Sequence, residues 1–394
     1  MFEIAQPPDL DKIIQLMGIF KADPREGKVD LGVGVYKTPE GLTPVMKAVK
    51  QAEERIWAAQ DSKSYVGLAG DPAFLDAMRG LILGDSVLPS RVASVATPGG
   101  TGAVRQVLEL VKMLTPDAQV WVSEPSWPNH AVIIDHLGLT RKSYRYYDAA
   151  TGGVDRTRMM SDLADVSPGD LILLHGCCHN PTGADLTMED WNDIAALCLK
   201  TGAIPFIDIA YQGFGDGLEE DAAGMRDLAA QVPEMFLAAS CSKNFGLYRE
   251  RVGMALVITG EGKPQEVAVG LLASMNRKNY SFPPDHGARV VSVILGDPVL
   301  CTAWRAELSE MRRTIIKNRK ILADALRDLT GSDRFGFLAG HRGMFSRCGA
   351  TADEVMAIRT VYGVYMVGDG RINVAGLTPG NIPIVAKALA EGIA

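Results

Sequence analysis

Residues 235–253 read MFLAASCSKNFGLYRERVG. The first five, Met235 to Ala239, form an apolar run of the length and continuity of a buried strand. The remainder of the stretch is turn-like: three hydroxyls (Ser240, Ser242, Tyr248), two glycines (Gly246, Gly253) and two arginines (Arg249, Arg251) surround a single lysine, Lys243. Lys243 is therefore expected on the turn at a strand's end, where open α/β sheets hold their ligands. A lysine in such a place is desolvated, which lowers its pKa and makes the free amine a nucleophile towards a carbonyl. A Ser-x-Ser-Lys string taken alone reads equally well as a surface turn with a solvated lysine. The arginine eight residues further on makes it more specific.

Working outward, the same form recurs upstream. VASVATPGGTGAVRQVLELVKML (92–114) is a strand, a glycine turn and an amphipathic helix. Gly99, Gly100 and Thr101 open that helix, where bare N–H groups and the positive dipole end favour an anion. Many such turns hold only water. QVWVSEP (119–125) is the next strand, followed by Trp127 and His130. Trp127 is either core filler or a flat face for stacking on a ring. DLILLHGCCHNPTG (170–183) runs from strand into a turn begun by Asn180-Pro181. AIPFIDIAYQGFG (203–215) carries Asp208 near a strand's end, then Tyr211. A buried acid there is costly unless paired. A protonated pyridine nitrogen is a suitable partner, and a helix N-cap or a histidine contact is the plainer alternative. An aldehyde for Lys243, a phosphate for Ser240, Ser242 and Arg251, and a ring nitrogen for Asp208 together point to pyridoxal 5'-phosphate.

Elsewhere, VDLGVGV (29–35) gives a short strand and a loop at Gly32 and Gly34 where backbone can approach a ligand; no GxGxxG comes after it. A helix is expected over about 44–60. Tyr65 lies in a loop before a helix start at Asp71-Pro72, either as a packing residue or with its hydroxyl on a phosphate. Arg277 precedes the proline-rich turn NYSFPP. A long charged helical pattern over about 300–329 leads into a C-terminal part of different rhythm, in which Arg371 sits among apolar neighbours and requires a carboxylate, from the protein or from a substrate.

The chain has 394 residues, enough for two lobes. Its net charge of −7 argues against a nucleic-acid or membrane-surface role. Six cysteines without CxxC spacing fit reduced thiols in the cytoplasm, and no metal site is expected. The start does not read as a signal peptide, and its Gln6-Pro7-Pro8-Asp9 segment is irregular enough for an arm on a second subunit.

CCHNPTGADLT (177–187), DIAYQGFGDGLEEDA (208–222), SCSKNFGLYRERVG (240–253) and RINVAGLTP (371–379) occur in an order that resembles the aspartate and aromatic amino-acid aminotransferases of fold type I, over about residues 30–380. The resemblance implies an α/β fold. A large domain at 45–310 would hold a mainly parallel seven-stranded sheet between helices, and a smaller α+β domain would join the N-terminal arm (1–44) to 311–394 and close on substrate. It implies that Lys243 bonds pyridoxal phosphate and then shuttles the proton at the substrate's α-carbon. Asp208 would face the ring nitrogen with His130 behind it, Tyr211 and Asn180 the ring's phenolic oxygen, and Trp127 the ring itself. Gly100, Thr101, Ser240, Ser242 and Arg251 would hold the phosphate, joined by Tyr65 of the neighbouring subunit in a homodimer with shared sites. Gly34, Trp127, Asn180 and Arg371 would meet the substrate, Arg371 at its α-carboxylate. Arg277, also from the neighbour, would read a dicarboxylate's distal group. The strings HGCCHNPTG, YSFPP, GSDRFGF and HRGMFSR are most similar to bacterial aromatic-amino-acid aminotransferases, with tyrosine, phenylalanine or aspartate as donor and 2-oxoglutarate as acceptor in ping-pong half-reactions; Phe282, where aspartate-type sequences tend to carry a small polar residue, fits that reading or is inert packing. An aspartate-restricted enzyme is the nearest alternative. A pyridoxal lyase would need no Arg277, and a nicotinamide dehydrogenase would need the missing GxGxxG.

Overall fold

The computed structural model describes residues 2–4 and 12–393, so the Gln6–Asp9 segment lies outside the described residues. The chain divides into two compact units, one of residues up to Thr43 with Ile315 onward, the other Pro44–Thr314. The boundary falls inside one 33-residue helix, Pro298–Thr330.

In the Pro44–Thr314 unit, seven strands form one sheet among the described residues: β1 (Val92–Pro98), β2 (Gln119–Glu124), β3 (Thr140–Arg145), β4 (Leu171–His175), β5 (Ile204–Ile209), β6 (Met235–Ser240) and β7 (Val252–Ile258). Their spatial order is β1-β7-β6-β5-β4-β2-β3. Neighbours from β6 to β3 run parallel, whereas β7 is antiparallel to both β6 and β1. The last strand made is therefore inserted between the first and the rest. β6 and β7 are buried along their whole length, as strands covered on both faces must be. The helix Gly99–Leu114 lays Val104, Val107, Leu108 and Val111 on one face against Val95, Val120, Phe206 and Ala238 of the sheet. Each side chain of this kind contributes roughly 1.5–3 kcal/mol on full burial.

β3 is the strand that sequence reading passes over. In TRKSYR only Tyr144 is buried, so no alternation or apolar run marks it. It is an edge, and Arg141, Lys142 and Arg145 keep that edge from pairing with another chain. The expected helix over 44–60 begins later, at Lys47, where the carboxylate of Glu307 accepts the Lys47 and Ala48 N–H groups. A carboxylate from elsewhere in the chain thus stands in for a local cap.

In the other unit, Val29–Asp30 pairs in parallel with Val364–Tyr365, and Phe345–Arg347 runs antiparallel to Arg371–Asn373. Arg319, fully buried, donates to Ser346 Oγ at 2.5 Å and to the Gly343 and Phe345 carbonyls at 2.7 Å, which fixes the strand carrying Phe345. Among the described residues, no single helix is long and apolar enough to cross a membrane.

Candidate active site

At the carboxyl ends of β4, β5 and β6 lies a cavity of about 240 Å³. Its wall brings together Gly100, Thr101, Trp127, Asn180, Asp208, Tyr211, Ser240, Ser242, Lys243 and Arg251, residues that sequence reading picked from separate segments.

Lys243 owes its place to the loop joining β6 to the antiparallel β7. The Cys241 N–H donates to the Val252 carbonyl at 3.0 Å, and the Gly246 N–H to the Lys243 carbonyl at 3.0 Å. Beyond the lysine, Phe245 stacks on Trp304 with ring centroids 4.4 Å apart, and the Trp304 indole N–H donates to the Asn244 carbonyl at 2.7 Å. Both rings are fully buried, so the loop is held from below. Lys243 Nζ stands 4.8 Å from the centre of the Tyr211 ring. Burial lowers its pKa from 10.5 to about 8; the Asp208 charge opposes that shift and Arg251 adds to it.

Asp208 is paired from behind. His130 Nε2 lies 2.8 Å from Asp208 Oδ2, and His130 Nδ1 lies 3.0 Å from Ser126 Oγ. Burial pushes the Asp208 carboxyl up, but the His130 contact and the nearby positive charge outweigh it and hold the carboxyl below its ordinary value. The histidine contact, the plainer alternative for this acid, is thus present, and the acid still faces the cavity. Trp127 sits edge-on to His130 at 5.0 Å. Asn180 Nδ2 donates to the Tyr211 hydroxyl at 3.5 Å. The Asp221 carboxylate accepts the N–H groups of Gly213, Gly215, Asp216 and Gly217, which knots the loop after Tyr211.

At the other end, the helix Gly99–Leu114 begins after Pro98 without a side-chain cap, so its first N–H groups suit an anion at the cavity wall that Gly100 and Thr101 line. Above it, Arg251 takes a positive φ of 56° and reaches the Tyr248 carbonyl at 3.3 Å and Ser242 Oγ at 3.4 Å. Gly99 and Gly253 make this approach possible. A Cβ on Gly99 would lie 2.5 Å from Arg251 Nη2, and one on Gly253 2.4 Å from the Gly99 carbonyl carbon. N–H groups, two serine hydroxyls and a guanidinium converging on one point suit a phosphate dianion.

Tyr65 and Arg277 are not on the wall of this cavity. Tyr65 is 83 % exposed and stacks on Phe282, with centroids 4.6 Å apart. Arg371 and Gly34 belong to the other unit, where both rest on the Phe345 ring. The Arg371 guanidinium lies 4.4 Å from that ring's centre and donates to the Gly32 carbonyl at 3.0 Å, while a Cβ on Gly34 would meet the ring edge at 2.5 Å. Sequence reading missed His175 and Ala210 on the cavity wall, and gave no role there to Tyr248, which it named among the hydroxyls near Lys243. His175 pairs in register with Asp208 across β4 and β5 and lies 3.2 Å from Ser126 Oγ. Burial, then the neighbouring His130, drives its pKa down to about 3, so it is neutral and leaves Asp208 as the charged group at that end. Two adjacent strands ending in polar residues, LILLH and IPFID, were the available signal.

An amine of lowered pKa, an anion held at one end of the cavity and a phosphate seat at the other match the three polar ends of a single cofactor. The site is that of a pyridoxal-phosphate enzyme on an α/β fold. Residues 26–389 match the family "Aminotransferase class I and II". The chain is 55% identical to an aromatic-amino-acid aminotransferase of Paracoccus denitrificans over 386 residues, 98% of each chain. It is 41% identical to an aspartate aminotransferase of Escherichia coli K12 over 392 residues, 99% of each. Among solved structures, an aromatic amino acid aminotransferase with 3-indolebutyric acid superposes with a TM-score of 0.97 at 55% identity, with full coverage of both chains. An aromatic-amino-acid aminotransferase of Burkholderia pseudomallei, covalently bound to pyridoxal phosphate, does so with a TM-score of 0.97 at 38% identity, again over both whole chains. The chain belongs to the class I and II aminotransferases and is, with them, a pyridoxal-phosphate-dependent enzyme.

Proposed function

We propose that this enzyme transfers the amino group of tyrosine, phenylalanine or aspartate to 2-oxoglutarate in two half-reactions at one site. The observation that carries the aromatic part is the 55% identity, over 98% of both chains, to an aromatic-amino-acid aminotransferase. The 41% identity to an aspartate aminotransferase supports an aspartate-restricted enzyme as the second reading.

Lys243, Asp208 and the Gly100–Thr101 turn are the groups that fit the cofactor. When bound, pyridoxal phosphate supplies the electron sink for bond breaking at the substrate's α-carbon. Ser240, Ser242 and Arg251 hold its phosphate with the helix N-terminus, and Trp127 covers its ring. Asp208, anionic and oriented by His130, keeps a proton on the ring nitrogen. Tyr211 and Asn180 hydrogen-bond the ring oxygen. The Lys243 amine, its pKa lowered by burial to about 8, would hold the cofactor at its aldehyde and would hold or move a proton at Nζ beside the substrate's α-carbon. Arg371, seated with Gly34 on the Phe345 ring, takes the substrate's α-carboxylate in a forked pair. Tyr65 and Arg277, both away from their own chain's cavity, serve the neighbouring subunit of a homodimer, Tyr65 at the phosphate and Arg277 at the substrate side chain. The six free thiols support a reducing compartment, the cytoplasm.

The test is a half-reaction on the holoenzyme, followed by the visible absorbance of the bound cofactor, with L-phenylalanine and L-aspartate in separate cuvettes and no oxo acid. Conversion by both is expected. Conversion by aspartate alone establishes the second reading.

A further inference from the structure

We infer that Phe282 is a positioning residue: its ring gives Arg277 a second seat, and this seat sets how the enzyme divides its donors between aromatic and dicarboxylic side chains. The inference rests on the reading of Arg277 as the group facing the substrate side chain.

Arg277 lies in the last turn of the helix Lys263–Asn279 and is exposed. Its Nη1 donates to Ser281 Oγ at 2.5 Å, and the guanidinium carbon lies 5.7 Å from the centre of the Phe282 ring. Both partners come from the turn that ends this helix. Ser281 takes a positive φ of 69°, a conformation that residues with a side chain seldom adopt, and the Phe282 N–H donates to the Tyr280 carbonyl at 2.8 Å. The chain thus folds back, so that a hydroxyl and an aromatic ring meet the cation at the helix end. The Phe282 ring is itself held by Tyr65, stacked at 4.6 Å with 15° between the planes. One ring therefore joins the two residues assigned to the neighbouring subunit.

The chemistry depends on what each donor offers the cation. The distal carboxylate of aspartate takes the guanidinium in a forked pair. A phenyl side chain offers no acceptor for the forked N–H groups, and a guanidinium left against its edge would be desolvated without a hydrogen-bonding partner. The cation must then have another place of comparable free energy. The face of Phe282, together with the Ser281 hydroxyl, is that place. Removing the ring raises the free energy of the state in which Arg277 stands aside, and only the aromatic donors need that state.

The experiment compares F282L, F282Y and R277L holoenzymes with wild type on L-phenylalanine and L-aspartate. In F282L, kcat/KM for phenylalanine is expected to fall roughly three- to thirty-fold, through KM rather than kcat, while that for aspartate stays within about two-fold. F282Y, which keeps an aromatic face, retains the wild-type ratio of the two donors. If F282L does not fold, F282M replaces it under the same criterion. An equal fall for both donors, or an unchanged ratio, overturns the inference. R277L separates the roles of the two residues. If it loses aspartate activity while F282L leaves the ratio unchanged, the role of Arg277 stands and that of Phe282 falls. If R277L leaves aspartate turnover intact, both fall.

Discussion

At the residue scale, the buried amine of Lys243 and the acid of Asp208 titrate in ways that can be measured. Lys243 has a pKa of about 8 in the folded protein against 10.5 for the free side chain. Between those values the unfolded chain binds a proton that the folded chain does not, so apoprotein stability rises with pH across this window. In K243M this rise should disappear from a melting-temperature profile taken from pH 7 to 11. Asp208 gives a slope of the same sign in a more acidic window. Its folded pKa is lowered, so its charge stabilises the protein above the ordinary carboxylate range, and the gain is lost as pH falls through the lower folded value. H130F removes the contact that outweighs burial, so the acid limb of the rate profile should move to higher pH. Loss of a hydrogen bond to a charged group, about 1.5–3 kcal/mol, should lower kcat/KM at neutral pH roughly ten- to a hundred-fold. An unmoved acid limb would mean that His130 only fills space. Lys243, Asp208 and Arg251 were legible in the sequence because a charge at the end of an apolar run is costly unless a ligand or a partner meets it. His175 was not, because a histidine gains meaning only through the β4–β5 register that sets it beside Asp208.

At the scale of elements, the phosphate seat depends on backbone that no side chain can enter. G99A places a Cβ 2.5 Å from the Arg251 guanidinium at a residue whose φ is +73°. It should weaken cofactor retention far more than it lowers the melting temperature, because Arg251 is exposed and can swing away. G253A drives a Cβ into the Gly99 backbone and has no such outlet, so it should destabilise the fold by about 1–3 kcal/mol in chemical denaturation. Equal effects of the two variants on stability would sink this distinction. The strand–turn–helix units were readable because each carries its own apolar run and glycine turn. β3 was not, since an edge strand that guards itself with charge discards the pattern by which strands are recognised. The stack of Tyr65 on Phe282 was equally out of reach, for it joins two loops far apart in the chain.

At the scale of the whole molecule, the assignment of Tyr65 and Arg277 to a neighbouring subunit predicts complementation. K243A and R277L proteins, each inactive towards aspartate alone, should regain activity when unfolded and refolded together. Random pairing in a two-fold dimer restores roughly one site in four. No recovery would return both residues to their own chain's site. The sheet order has a consequence for the making of the protein. Among the described residues β1 joins the sheet only through β7, and the two segments that meet at Gly99 and Gly253 leave the ribosome at widely separated times. Until residue 258 has emerged, β1 has no hydrogen-bonding neighbour in the sheet, and the turn at Gly99 has no arginine above it. Nascent chains halted before Val252 should therefore fail to retain pyridoxal phosphate, and their unpaired first strand should make them clients of chaperones. For this enzyme, cofactor capture should be an event of late synthesis.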